Sequence, residues 1–260
     1  MFRYCKIKKC IIGFERPKVC VPLVGATPEE VLDQANQVAQ TQQSSTIDMV
    51  ELRGDYLSVL SDYEQLDKLL ADIAQILPDT ILLFTIRSEK EGGERLSFSE
   101  PTSFDINRHV IENRLADIVD VELFSGTENA KELITLAHEH DVKIIMSNHD
   151  FQTTPDANVI VNRLRSMQDL GADIVKIAVM PENKMQVLNL LAATVMMQEN
   201  YAEVPIVTMS MGKIGAISRV SGHLTGSAIT FASLECASAP GQIPVVAVNT
   251  MLDEFEKYYR

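Results

Sequence analysis

Ala172-Asp-Ile-Val-Lys-Ile-Ala-Val179 is the stretch on which the reading of this chain turns. It is short, β-branched and bounded by Gly171 and Pro181, as expected of a buried parallel strand. Lys176 stands in its middle. An ammonium buried without a partner costs several kcal/mol, so this lysine must be paired or lose its proton. A lysine that loses its proton easily is a nucleophile toward carbonyls. Taken alone, Lys176 could equally snorkel to water or bond a carboxylate. Its companions elsewhere in the chain decide between these.

The strand has seven companions. Residues 18–24, 46–53, 80–87, 116–123, 142–147, 205–210 and 227–231 read the same way. Helices are expected between them, over about 28–42, 62–77, 104–115, 128–140, 154–170 and 183–199, with a short one holding Arg219 and a last over 245–258. The first opens at Thr27-Pro28, an N-cap followed by a proline at the first helical position. Strict β/α alternation implies a parallel sheet covered by helices. Eight repeats in 260 residues imply an α/β fold of the (β/α)8 TIM-barrel type, a single domain over residues 1–260. Residues 1–16 are expected to form a short N-terminal extension, irregular to weakly β. An open, doubly wound sheet would carry Gly-x-Gly-x-x-Gly after a strand, and none does. Pro22 lacks an N–H, so it belongs near the end of the first strand.

Composition narrows the class. A net charge of −13 argues against nucleic-acid binding, which wants a basic face. No apolar run reaches the roughly 18 residues of a membrane span. Lys6, Lys8 and Lys9 are followed only by Ile11-Ile12-Gly13-Phe14, too short for a signal peptide's apolar region. Cys5, Cys10, Cys20 and Cys236 show no CxxC spacing and read as free thiols of a reducing cytoplasm. His138 and His140 lie at i and i+2 late in a helix and do not share a face, so no metal is expected, nor any cofactor. His109 and His223 read as surface residues.

The period-2 pattern places the polar residues. Met49, Glu51 and Arg53 oppose Val50 and Leu52; Leu83, Thr85 and Arg87 oppose Leu82, Phe84 and Ile86. Asp120 and Glu122 share a face, and His149 has the parity of Ile145 and Ser147. A barrel's active site lies at the C-terminal ends of its strands. Glu51, Arg53, Arg87, His149 and Lys176 therefore point at one mouth. An inward ion-pair network that only stabilises is the bland alternative. Arginines near Lys176 would favour its neutral amine. That amine forms an imine with a ketone or aldehyde, and the protonated imine acidifies a neighbouring C–H. His149 can then serve as general base and acid. The residues thus read as Schiff-base lyase chemistry on a small carboxylated or phosphorylated polyol, with carbon–carbon cleavage and dehydration both open. Gly212-Lys213-Ile-Gly215 could cradle a phosphate, which makes a class I aldolase the nearest competitor. A non-catalytic ligand-binding barrel is a third reading, against which the nucleophile counts.

Six segments, in order, resemble the type I 3-dehydroquinate dehydratases. They are Glu51-Leu-Arg53; Phe84-Thr-Ile-Arg87 with Glu89-Lys-Glu-Gly-Gly93; Met146-Ser-Asn-His-Asp-Phe151; Val175-Lys-Ile-Ala178; Met209-Ser-Met211 with Ser218-Arg219; and Ser238-Ala-Pro-Gly-Gln242. The resemblance implies a dehydration of 3-dehydroquinate to 3-dehydroshikimate, in the shikimate route, by a cytoplasmic homodimer. It implies that Lys176 forms the imine with the substrate's C3 ketone. His149 would take the C2 proton and protonate the departing C1 hydroxyl, with Glu91 orienting it. Arg219 would hold the substrate carboxylate, and Glu51, Arg53 and Arg87 would grip ring hydroxyls. Met209, Met211 and Phe231 would line an apolar wall. Ser238 and Gln242 would belong to a loop that closes over the ligand. Asp120 and Glu122 are expected to bond nearby arginines or Lys176, with no catalytic role. One departure stands out: the family often has a serine where the first strand here ends in Pro22, which bears on affinity more than on mechanism.

Overall fold

The computed structural model describes residues 2–234 and 240–259. Eight parallel strands form the ring: β3 (Lys18–Leu23), β4 (Met49–Arg53), β5 (Ile81–Thr85), β6 (Ile118–Glu122), β7 (Lys143–Asp150), β8 (Ile174–Val179), β9 (Ile206–Ser210) and β10 (Ile229–Ser233). Helices α1 (Pro28–Thr41), α2 (Tyr63–Ile76), α3 (Ser103–Glu112), α4 (Thr127–Glu139), α5 (Ala157–Asp169) and α6 (Lys184–Asn200) separate the first seven. Seven 3₁₀-helical residues (Lys213–Arg219) and the one-turn α7 (Gly222–Thr225) connect β9 to β10. A two-residue strand, β11 (Ile243–Pro244), pairs beside β10 and leads into α8 (Val245–Tyr259). Each ring strand pairs with its neighbour in sequence, and β10 returns to β3. A bridge between Ile206 and Ser227 closes the ring. There the Ala228 N–H donates to the Ile206 carbonyl at 2.8 Å, and the Thr208 N–H to the Ser227 hydroxyl at 3.0 Å. The expected TIM barrel is what the chain forms.

Alternation along the strands sorts the core into two layers. Val50, Leu52, Leu82, Phe84, Val119, Val121, Val175 and Ile177 face outward and pack on helix residues such as Leu66, Ile73, Val110, Leu133, Leu164 and Leu190. Met49, Ile81, Leu83, Ile118, Ile145, Ile174 and Val207 fill the ring from inside. The helices begin where their caps permit. Thr27 with Glu30 and Thr102 with Asp105 form capping boxes, and Asp62 and Asn183 cap α2 and α6.

The N-terminal extension is more ordered than its sequence suggests. Strands β1 (Cys5–Ile7) and β2 (Cys10–Ile12) form an antiparallel hairpin. Cys5, Ile7 and Ile12 are buried with Ile81, Ile118 and Ile174, the first residues of their strands, so the hairpin plugs the barrel's N-terminal end. Lys8 fastens it, with Nζ donating to the Thr80 carbonyl at 2.6 Å and lying 2.9 Å from Asp117 Oδ2. Three-residue strands carry too little periodicity to be read from sequence.

Three boundaries matter for the site. β5 ends at Thr85, so Arg87 stands in the loop beyond it. β7 runs on to Asp150, three residues past its expected end, and holds His149 in register with Ala178 of β8. Pro22 is the penultimate residue of β3 and pairs only toward β4; the ladder to β10 ends at Cys20. The missing N–H is thus confined to one side.

Candidate active site

Lys176 sits halfway along β8 with its side chain pointing inward, and only 3 % of the residue is exposed. Its amine meets two carboxylates, Glu51 Oε1 at 3.6 Å and Asp120 Oδ2 at 3.8 Å. It also lies 4.3 Å from the centre of the Phe231 ring, a cation–π contact. The sequence leads one to expect arginines around this lysine. The structure places carboxylates in contact with it, and Asp120 meets both the lysine and an arginine.

His149 and Glu91 form the second element. Glu91 Oε2 lies 2.9 Å from His149 Nδ1 and accepts that residue's backbone N–H at 2.8 Å. Glu91 Oε1 accepts from Asn148 Nδ2 at 3.0 Å, and Asn148 Oδ1 accepts from Arg163 at 2.9 Å. With both Glu91 oxygens accepting, Nδ1 of the imidazole carries the proton and Nε2 keeps its lone pair for the pocket. Burial, then the charges of Arg87, Lys176 and Arg53, push the His149 pKa well below its ordinary value. Burial and the neighbouring Glu122 push the Glu91 carboxyl up to about 7.

The loop after β5 delivers Glu91 to the histidine. Glu89–Glu91 make one 3₁₀ turn, and Gly92 follows at φ +82°, a conformation that favours glycine. A Cβ on Gly93 would lie 2.0 Å from the Arg87 carbonyl oxygen, and one on Gly92 would lie 2.4 Å from the Phe151 ring. Asp55 braces the same loop. Its carboxylate takes a fork from Arg53 (2.9 and 2.8 Å) and the backbone N–H groups of Arg87 (3.2 Å) and Glu94 (3.0 Å).

Arg87 is fully engaged by the protein. Its guanidinium donates to Asp120 Oδ2 at 2.7 Å, Glu122 Oε1 at 3.0 Å and Ser147 Oγ at 2.8 Å. Ser147 in turn donates to Asp120 Oδ1 at 2.6 Å. Burial alone would raise the Asp120 carboxyl. Arg87, Lys176 and these hydrogen bonds outweigh burial and hold it below the usual carboxylate range.

Arg219 differs. It donates to the main-chain carbonyls of Phe231 and Pro240, each at 3.2 Å, and weakly to the Met209 sulfur at 4.0 Å, and its buried Nε has no partner among the described residues. Burial lowers its pKa to about 10. A buried cation with an orphan donor is a place for an incoming anion.

One cavity joins these groups. Glu51, Arg53, Arg87, Glu91, His149, Lys176, Met209, Met211, Arg219, Phe231 and Gln242 all line it, with Gly92, Phe151 and Ala178. Every expected site residue therefore meets at one mouth, except Ser238, which lies outside the described residues, as does Cys236. Asp55, Asn148, Ser147 and Phe151 also take part in the site, though the sequence assigns them no role. The first three act behind the pocket wall on Arg53, Arg87 and Glu91, and nothing in a single sequence marks such supports. No cluster of three or more His, Cys, Asp or Glu has metal-binding geometry among the described residues.

Comparison with known proteins agrees with this geometry. The type I 3-dehydroquinase family profile matches residues 19–258. The 3-dehydroquinate dehydratase of Bacillus licheniformis is 47% identical over 252 residues, covering 97% of each chain. That of Salmonella typhimurium is 45% identical over 246 residues, covering 95% of this chain and 96% of its own. The crystal structure of the type I 3-dehydroquinate dehydratase of Clostridium difficile, with covalently modified comenic acid, superposes with a TM-score of 0.93 at 40% identity over 99% of both chains. The 3-dehydroquinate dehydratase of Geobacillus kaustophilus gives 0.94 at 35% identity, covering 99% of this chain and 98% of its own. By sequence along nearly its full length and by fold, this chain belongs to the type I 3-dehydroquinase family.

Proposed function

We propose that the protein dehydrates 3-dehydroquinate to 3-dehydroshikimate through an imine on Lys176, as a step of the shikimate route to aromatic compounds. Its family makes it a hydro-lyase. The observation that carries the mechanism is the meeting, in one cavity, of a buried lysine, a histidine held by a carboxylate and an arginine with a donor unpartnered among the described residues.

Each residue has a step. Arg219 takes the substrate carboxylate. The Lys176 amine adds to the C3 ketone, and loss of water leaves the protonated imine. His149 Nε2 removes a proton from C2, and the electron pair enters the imine as an enamine. The enamine then expels the C1 hydroxyl, which leaves as water with the proton from His149. Hydrolysis of the imine returns the lysine and releases the product. Glu91 keeps the imidazole in the tautomer that can accept the proton. Glu51 and Arg53 meet the ring hydroxyls, and Met209, Met211 and Phe231 form the apolar wall. Gln242, with Ser238, would close the mouth and exclude water.

The loop after β9 disfavours the aldolase reading. The Gly212 N–H donates to the Pro240 carbonyl at 3.1 Å and the Gly215 N–H to the Gly212 carbonyl at 3.2 Å, while the Lys213 side chain is exposed. A phosphate would find these donors already occupied.

Borohydride reduction in the presence of 3-dehydroquinate tests the proposal. The expected result is an adduct on the Lys176 peptide, absent in Lys176→Ala, which should also lose turnover. Wild-type turnover by that variant would overturn the imine. The reaction needs no metal or other cofactor in this reading, so activity should survive chelators. The protein would be one catalytic domain and a cytoplasmic homodimer, with no nucleic-acid or membrane partner. Outward-facing Met185, Leu188 and Met196 on α6 offer apolar surface for a second copy. Sedimentation at twice 28.9 kDa would support the dimer, and at 28.9 kDa would refute it.

A further inference from the structure

The lysine's two carboxylates are not equivalent. Glu51 lines the cavity and, among the described residues, is hydrogen-bonded otherwise by the Thr85 hydroxyl alone, at 3.0 Å. Its side chain can turn to a ligand. Asp120 does not line the cavity; its side chain is fully buried behind the lysine. Arg87 at 2.7 Å and Ser147 at 2.6 Å hold both its oxygens. No substrate can displace it, and it cannot follow one. Arg87, with three protein acceptors, is the clamp that fixes it.

We propose that Asp120 is the permanent counter-ion of Lys176, a positioning residue that balances the nitrogen's positive charge from behind, first as ammonium and then as protonated imine, while Arg87 serves to hold Asp120. This rests on the imine reading above. A fixed anion in a dry site needs no reorganisation as charge forms, so its contribution is to the rate more than to binding. The charged or titratable groups around the amine are Cys20 on β3, Glu51 and Arg53 on β4, Arg87 and Glu91 beyond β5, Asp120 on β6, His149 on β7 and Arg219 beyond β9. Of the two carboxylates in contact with the amine, Asp120 alone does not line the cavity.

The test is the protonation of Lys176 in the ligand-free protein, read from the pH dependence of its reductive methylation by formaldehyde and cyanoborohydride, resolved by peptide mass. Asp120→Asn is expected to lower the midpoint by about one pH unit or more, as loss of an opposite charge within 4 to 6 Å does. It should also lower kcat at least about tenfold with little change in KM. Glu122→Gln takes a different carboxylate from Arg87, one that does not contact the lysine, and should move the midpoint less. An unmoved midpoint in Asp120→Asn, or an equal shift in Glu122→Gln, overturns the proposal. If Asp120→Asn does not fold, Arg87→Gln is compared with Arg87→Gln/Asp120→Asn; the second change must still lower the midpoint, and no difference overturns the proposal. Because labelling needs no substrate, this outcome is separate from borohydride trapping with 3-dehydroquinate. Failure to trap on wild-type Lys176 would sink the imine reading, whatever the midpoints show.

Discussion

The Glu91 carboxylate holds His149 twice, by the ring Nδ1 at 2.9 Å and by the backbone N–H at 2.8 Å. The double contact fixes both the position and the tautomer of the base. It also makes the base depend on Glu91 being ionised. Glu91 is raised to about 7, so it is protonated below that pH and the imidazole lone pair then turns toward it. The expected outcome is a kcat that rises with pH through about 7. A steady-state pH–rate profile checks this; a flat profile from pH 5.5 to 8 would show that Glu91 does not titrate there. In Glu91→Gln the limb should vanish and kcat should fall by about 100-fold, within the range for general base catalysis.

Arg219 donates to two carbonyls and the Met209 sulfur and has no carboxylate partner among the described residues. Its charge is therefore left for the substrate. Arg219→Met should raise KM by roughly 10- to 100-fold, the worth of a charge-assisted hydrogen bond. The borohydride adduct should persist at high substrate. An unchanged KM would place the substrate carboxylate elsewhere.

Two glycines separate backbone strain from site geometry. Gly126, at φ +111°, has only Asn129 Nδ2 near its Cβ position, at 3.9 Å. Gly126→Ala should cost about 1 to 2 kcal/mol of stability without altering kcat. Gly93→Ala must displace the Arg87 carbonyl, 2.0 Å away, and with it the turn that carries Glu91. It should cost about 1 to 3 kcal/mol and lower kcat as well. Thermal unfolding and kinetics on the two variants test the contrast.

Removal of residues 1–12 uncovers Ile81, Ile118 and Ile174 at the closed end of the barrel. Loss of the Ile7 and Ile12 burial alone should cost roughly 3 kcal/mol. Chemistry at the opposite mouth should be unaffected at low temperature. A truncated chain with wild-type Tm would mean that the hairpin does not seal the barrel.

The ring and its inward face were readable because period-2 alternation is strong in fully buried strands. Glu51, Arg53, His149 and Lys176 declare their side by parity with Met49, Ile145 and Ile174. The hairpin was not readable, because its burial comes from the barrel floor and not from its own pattern. The length of β7 is hidden in the sequence because Asn148-His-Asp150 has the composition of a loop, yet β8 offers it register. The true partners of Arg87 were also hidden. Sequence parity put Asp120 and Glu122 on the right face, but only the folded ring shows the arginine forked across them and Ser147.

The closure of the ring divides it mechanically. β7 and β8 share six register pairs, whereas β9 meets the chain entering β10 at one. Lys176 and His149 stand on the stiff arc; Arg219 stands on the connection that crosses the compliant seam. Thermal loosening is therefore expected to begin at this seam, beside Arg219, and to leave Lys176 and His149 in place. Amide exchange at Thr208 and Ala228 should accordingly outpace that at Lys176 and Asn148.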